Sequence, residues 1–577
     1  MAEKKEWTIM VYMAGDNNLS EDMITALKGM MGFGESANIN LVALYDGCYP
    51  FAPIKFYNFT KTALRTSARR GNRDLLDDFQ DELEEKTPPS TDAARISATD
   101  AEKTPETKSV LNHELLKLEH FVPLVMKKFP AEKYALILSG HSDGVIGRRL
   151  LPDGDTDVKL NLISLRKIME RVLGKLEKDK NGKRRKFDII GFDGCLMGMI
   201  EVGFEMRSIA KYMVASQGNI PTSGWVYEDM LAELISKEGK IEPKELVISM
   251  VDSYVDYNED FAIGGRSVNI SACDLQTLYG ADSIYQQILR LARLFLDILN
   301  LPVSLEKAKE NSENGNGDSA AKDPELTDEQ KRTFAENLVI REKFIDWMIL
   351  SHYRSQTFMH SQAVDVIDFT YNILLHFRKW QAENEIIGTI RTEGGNKKST
   401  NRTVNKIQDR IEEIFTEFIN INESIRKENQ AYILRSCSIG AEYQFSQGVS
   451  LFLPWSRMAY NMLKNRYSQL NFNDDEAWLN FIDKLTALTM RAFHEEPLFN
   501  ENISSLYDLP FSKISHREVG GREVGGREVG GREVGGREVG GRGISDEFYF
   551  YFSQFRNYRP DVFKKVYVDR DSFIKNT

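Results

Sequence analysis

Four short apolar runs constrain this chain more than any other feature. They lie at 7–13 (WTIMVYM), 40–45 (NLVALY), 134–138 (YALIL) and 187–192 (FDIIGF). None alternates apolar with polar residues, as a strand with one wet face would. Strands of this kind are buried on both sides. The segments between them, at 20–31, 107–128 and 162–176, carry helical periodicity. Strands and helices in alternation predict an α/β fold with a mostly parallel central sheet covered by helices on both faces.

Three segments interrupt that pattern. Residues 61–106 are highly charged and then rich in Thr, Pro, Ser and Ala, and read as an insertion. Residues 306–330 carry almost no apolar side chains and read as a disordered linker or loop. Residues 517–542 are five tandem copies of REVGG and a final Arg, a period that fits neither helix nor strand. Between the interruptions, 335–490 reads as mainly helical, with one buried strand at 448–453 running into Pro454. The expected organisation is therefore an α/β core at 1–300 with its insertion, a linker at 301–334, a largely helical C-terminal half at 335–490, and an extension at 491–577. The last part of that extension, 543–577, is dense in aromatic residues and too short to fold alone.

Composition removes several function classes. Lys and Arg number 75 against 86 Asp and Glu, a net charge of −11. Nucleic-acid binding calls for the opposite balance, so no nucleic-acid partner is expected. No apolar run approaches the roughly 20 residues of a membrane helix, so no membrane partner is expected either. Four cysteines, Cys48, Cys195, Cys273 and Cys437, are far apart and show no zinc spacing. With no secretion signal legible at residues 1–17, a reducing, cytoplasmic setting is the expectation.

Two of the apolar runs end on residues that can do chemistry. YALILSG delivers His141, and FDIIGFDG delivers Cys195. In open parallel sheets, sites form beyond the carboxyl ends of the strands. If these strands are neighbours, a thiol and an imidazole emerge side by side, the minimum for acyl transfer. Taken singly, each has a plainer reading: Cys195 as a small core hydrophobe, His141 as polar loop chemistry. Periodicity alone leaves the two readings level.

The words of the sequence add to the spacing. FDIIGFDGCLMGMIEVGFEMRSIAKYMVASQGNIPTSGWVYEDML resembles the nucleophile region of clostripain-like cysteine peptidases, family C11 of the caspase-like clan CD. WTIMVYMAGDNNLSE resembles that family's first strand and turn, and FPAEKYALILSGHSDG its histidine strand. VNISACDLQTL, SQAVDVIDFTYNIL and GVSLFLPWSR resemble its later blocks, in order, so that the likeness spans residues 5 to about 490.

The resemblance implies a caspase-like αβα sandwich and a cysteine endopeptidase cutting after Arg or Lys. It implies Cys195 as nucleophile, His141 as catalytic histidine, and the backbone amides of Ser142 and Cys195 as oxyanion hole. Asp193 matches the acid that lines the pocket for the side chain preceding the scissile bond (P1); its plainer reading is a cap on the following helix. Two positions depart from the family. Ser142 stands where Gly is usual after the histidine, and Gln217 and Gly218 stand where acidic residues are usual. Family members are often self-cleaved between the histidine and cysteine strands, which makes Arg148 and Arg149 processing candidates; Arg542, followed by Gly543, is another. No cofactor is certain. Some relatives need calcium, and the acidic loop 153–157 (DGDTD) offers oxygens, but it lacks an EF-hand pattern and reads as a solvated turn. A peptidase confined to one partner protein, or a regulatory protein on a peptidase fold, is the alternative reading. A regulatory partner protein is expected at most as an accessory.

Overall fold

The computed structural model describes residues 3–34, 36–47, 54–59, 113–145, 160–176, 182, 184–262, 264–303, 327–358, 362–393, 398–454 and 457–494. The charged insertion, the acidic loop 153–157, Cys48, Arg148, Arg149, the REVGG array with Arg542 and the aromatic tail lie outside them.

The strands in chain order are β1 (Lys5–Gly15), β2 (Ile39–Gly47), β3 (Lys55–Asn58), β4 (Ala131–Ser139), β5 (Phe187–Asp193), β6 (Ala210–Ala215), β7 (Val268–Asp274), β8 (Thr357–Phe358), β9 (Ala363–Asp365), β10 (Ile433–Ile439) and β11 (Ser450–Phe452). Eight form one sheet in the order β10-β7-β6-β5-β4-β1-β2-β3. The five central strands, β2 to β6 across β1, β4 and β5, are mutually parallel. Antiparallel neighbours close both sides: β3 on β2, and β7 with β10 beyond β6. Strands β11-β9-β8 form a second, antiparallel sheet.

Both faces of the main sheet are covered, which is why its strands read as unbroken apolar runs. In β1, Met10, Tyr12 and Ala14 enter one core, while Trp7, Ile9, Val11 and Met13 enter the other. In β4, Leu136 and Leu138 face the first core and Ala135 and Ile137 the second. Helices Ser20–Met30 and Pro243–Ala262 bury side chains in the second core. The first core is larger. It takes in helices Leu162–Lys175 and Ile284–Leu299 and continues into the C-terminal helices. Phe295 shows how: its ring lies 5.0 Å from Phe344, 6.2 Å from Phe418 and 5.2 Å from Phe481. The helical C-terminal half thus shares the sheet's own core.

The parallel strands leave their carboxyl ends along one edge. Ser139 of β4 is level with Asp193 of β5, and Met13 of β1 is level with Ser139. The loops that follow β1, β4 and β5 therefore open side by side.

Candidate active site

Register sets His141 and Cys195 at the same level beyond neighbouring strands, since each follows a level pair by two residues. The turn after β5 is held by main-chain and side-chain bonds from both flanks. From the β4 side, Ser142 Oγ donates to the Cys195 carbonyl at 2.6 Å. From the far side, the Leu196 amide donates to Gly218 O at 2.9 Å and the Gly198 amide to Ser216 O at 2.6 Å. The peptide joining Cys195 to Leu196 is thus gripped at both its oxygen and its nitrogen. That grip explains the backbone of Leu196, a non-glycine residue at φ +64°. Such a conformation persists only where the surroundings over-determine it.

The Cys195 sulfur rests against the main chain of Ile220. The Ile220 amide donates to Sγ at 3.3 Å, and the Ile220 carbonyl lies 3.8 Å from it. Burial pushes the thiol above its ordinary range, and the Asp143 and Asp193 carboxylates add to this; the Ile220 amide opposes them. A sulfur in this setting is a thiol at rest and needs a base to become a nucleophile. His141, half-buried, places Nε2 2.7 Å from Asn18 Oδ1.

Asp193 lies beneath the turn, 4% exposed. Its Oδ2 accepts from Ser139 Oγ at 2.8 Å and from Tyr227 OH at 3.0 Å, and its Oδ1 from the Trp225 amide at 2.9 Å. Burial raises its carboxyl to about 6, with the three hydrogen bonds working the other way. Among the described residues, none of its partners is a cation. Gly224, at φ +65°, lies over it, and a Cβ there would stand 3.1 Å from both carboxylate oxygens. The helix-cap reading of Asp193 finds no bond here, because its acceptors are engaged by residues 139, 225 and 227.

The wall formed by residues 216–220 comes from distant segments. Gln217 is buried; its Nε2 donates to Asp365 Oδ2 at 3.0 Å, and its Oε1 accepts from the Gly448 amide at 3.0 Å. Asn269 Oδ1 accepts from Ser216 Oγ and from the Gly218 amide. Tyr443 OH accepts from the Asn219 amide at 2.9 Å. Gly218 is required by close approach, since a Cβ there would run into the Tyr443 ring. The departure from acidic residues at 217 and 218 is thereby accounted for: one side chain is a buried crosslink and the other is absent to admit a ring. Sequence reading missed Asn18, Ile220, Asp365 and Tyr443. Asn18, Ile220 and Asp365 stood inside blocks quoted for their resemblance without being singled out, whereas Tyr443 lay outside every quoted block.

The profile of the clostripain family matches residues 11–485. The chain belongs to the clostripain family. This is a family of cysteine-type endopeptidases, and its fold is the αβα sandwich described above. Clostripain of Hathewaya histolytica is 23% identical over 261 residues, which cover 42% of this chain and 44% of that protein, so the chain matches less than half the length of this relative. Among solved structures, a secreted C11 cysteine protease from Bacteroides thetaiotaomicron in complex with an irreversible peptide inhibitor is 14% identical. Its TM-score is 0.44, with 82% of this chain and 99% of that one covered. An inactive zymogen C11 protease from Parabacteroides distasonis is 14% identical with TM-score 0.41, over 82% and 99% of the two chains.

The expected cytoplasmic setting is corrected by these likenesses, because the solved structures include secreted proteases. The inference from cysteine count was weak for a physical reason. A chain of this size buries a core large enough to do without disulfides in either compartment. Of the cysteines described, Cys195, Cys273 and Cys437 are all free thiols.

Proposed function

We propose that this clostripain-family chain hydrolyses peptide bonds after Arg or Lys, with Cys195 as nucleophile and His141 as proton carrier. His141 takes the thiol proton as sulfur bonds to the substrate carbonyl carbon. The carbonyl oxygen becomes an oxyanion, received by the amides of Cys195 and Ser142. His141 then protonates the leaving amine as the carbon–nitrogen bond breaks, and water hydrolyses the remaining thioester.

The observation that carries this reading is the Asp193 carboxylate, two residues before the nucleophile and buried without a described cationic partner. A buried charge of this kind favours a ligand that brings the opposite charge. Gly224 packs tightly against both oxygens, where even a Cβ would stand at 3.1 Å, and the fork of a guanidinium is the cation that pairs best with a carboxylate. Because the free carboxyl titrates at about 6, binding of basic substrates weakens as pH falls through that value. Self-cleavage at Arg148, Arg149 or Arg542 belongs to the same proposal, since each offers an Arg in a connecting or terminal segment, and a regulatory partner protein would act on that step.

The test is labelling by an Arg-bearing electrophile together with hydrolysis of matched peptides carrying Arg, Lys or Leu at P1. Cys195→Ala and His141→Ala should each lower hydrolysis by at least about a thousandfold. Asp193→Asn should remove the preference for Arg over Leu. Hydrolysis that survives Cys195→Ala would end the assignment.

A further inference from the structure

We infer that Asn18 is the positioning residue for His141, making the proton-transfer unit a three-residue relay rather than a pair. The inference rests on the peptidase reading above and adds a component to it. A base that must face a nucleophile works best when its other nitrogen is held by a third group. Here His141 Nε2 lies 2.7 Å from Asn18 Oδ1. An amide oxygen only accepts, so this contact puts the ring proton on Nε2 and assigns exchange with the sulfur to Nδ1. When the ring takes the thiol proton onto Nδ1, the same bond stays in place and its oxygen faces a developing positive charge.

The topology supports the arrangement independently of that distance. β1, β4 and β5 are adjacent in the sheet, and the loops after them supply Asn18, His141 and Cys195 in that order. The loop carrying Asn18 is itself fixed. Asn17 Nδ2 donates to Ala14 O at 2.8 Å, and Asn17 Oδ1 accepts from the Leu19 amide at 2.9 Å. The Ser20 amide donates to Asn17 O at 3.2 Å, and Ser20 Oγ meets Tyr45 OH at 2.6 Å, tying the start of helix Ser20–Met30 to β2. Asn18 is an exposed residue between two anchored ones, where a side chain can be changed without unpacking anything.

The experiment compares wild type, Asn18→Ala and Asn18→Asp in the full chain. Two measurements are made against pH: steady-state hydrolysis of an Arg peptide, and alkylation of Cys195 by iodoacetamide, which needs no substrate recognition. Asn18→Ala should lower kcat about 10- to 100-fold with KM nearly unchanged and the melting temperature unmoved. Asn18→Asp sets a carboxylate against the imidazolium and favours the protonated ring, so the rising, acid-side limb of both profiles should move up by about one unit. Among the described residues, the ionisable groups that act on the sulfur are Asp143, Asp193, Tyr254 and Tyr443, and Asp16 and Asp46 stand in the loop of Asn18 and at the end of β2. All are retained in both variants, so a shift reports position 18. Alanine with wild-type kcat, or aspartate with an unmoved rising limb in alkylation, overturns the inference. If no peptide is hydrolysed by wild type but alkylation responds as described, the relay stands and the peptidase reading fails.

Discussion

On one side of the Cys195 sulfur, His141 and Ser142 arrive from β4, whose level with β5 is set by a main-chain ladder from Ala135↔Ile189 to Ser139↔Asp193. On the other side, residues 216–220 are held by side chains and amides of Asn269, Asp365, Tyr443 and Gly448, 51 to 231 residues further along the chain. The first flank is fixed by backbone geometry that any apolar strand pair would reproduce. The second depends on individual side chains and on the absence of one at Gly218. The sheet thus sets the level of His141 and Cys195, while the wall that seats the sulfur is braced by Asn269 of β7 and by Asp365, Tyr443 and Gly448 of the C-terminal half. Changes on the second flank should therefore damage turnover without removing any reacting group.

The largest expected effect tests that directly. Gly218→Ala forces a Cβ into the buried Tyr443 ring, so the wall must move. A displacement of about 1 Å at a reacting centre costs on the order of a hundredfold in rate. Hydrolysis and alkylation of Cys195 should both fall while the circular dichroism spectrum is kept. Unaltered turnover would show that the two flanks are not mechanically linked.

Ser142→Ala probes the first flank. It removes the bond to the Cys195 carbonyl but keeps the amide. One lost hydrogen bond of about 1 kcal/mol should lower kcat about 5-fold with little change in KM. Loss as large as that of His141→Ala would mean that the hydroxyl is more than a clamp.

Tyr443→Phe leaves the Asn219 amide without its acceptor while keeping the ring that fills the space over Gly218. A modest rise in KM, about threefold, is expected, with kcat held. A fall in kcat instead would assign Tyr443 to the sulfur rather than to the wall.

The smallest effect on rate is expected from Glu201→Gln, on helix Ile200–Met206 that leads away from the Cys195 turn. Glu201 is fully buried, accepts from the Phe452 amide and Tyr467 OH through Oε1, and is raised by burial to about 7. The folded chain therefore holds a proton that the unfolded chain, with an ordinary value of 4.5, releases. Stability is fullest below 4.5 and is lost as pH rises toward about 7. The Gln variant should flatten that slope in thermal melts recorded between those values, since an amide has nothing to titrate. A slope unchanged by the substitution would place the titration on Asp193 or Asp365.

Much of the first flank was legible because it follows from short-range order. Strand runs at 7–13, 40–45, 134–138 and 187–192 correspond to β1, β2, β4 and β5. Their apolar character is a direct consequence of burial on both faces. Strand β10 escaped the sequence reading. Among the described strands it lies at the sheet edge and pairs with β7 alone, and it is half-buried along most of its length, so it carries no apolar run.

The sequence by itself determined the fold class, the family and the strand ends at which His141 and Cys195 stand, because period and local wording need only neighbours in the chain. Tertiary structure alone decided that Ile220 seats the sulfur, that Gln217 is a crosslink to Asp365, that Ser142 grips the Cys195 carbonyl and that Asn18 meets the imidazole. These are contacts between residues far apart in sequence. They exist because parallel strands release their loops at one edge of the sheet, and because the shared core draws residues 363–368 and 443–450 against those loops. No local pattern encodes such a meeting.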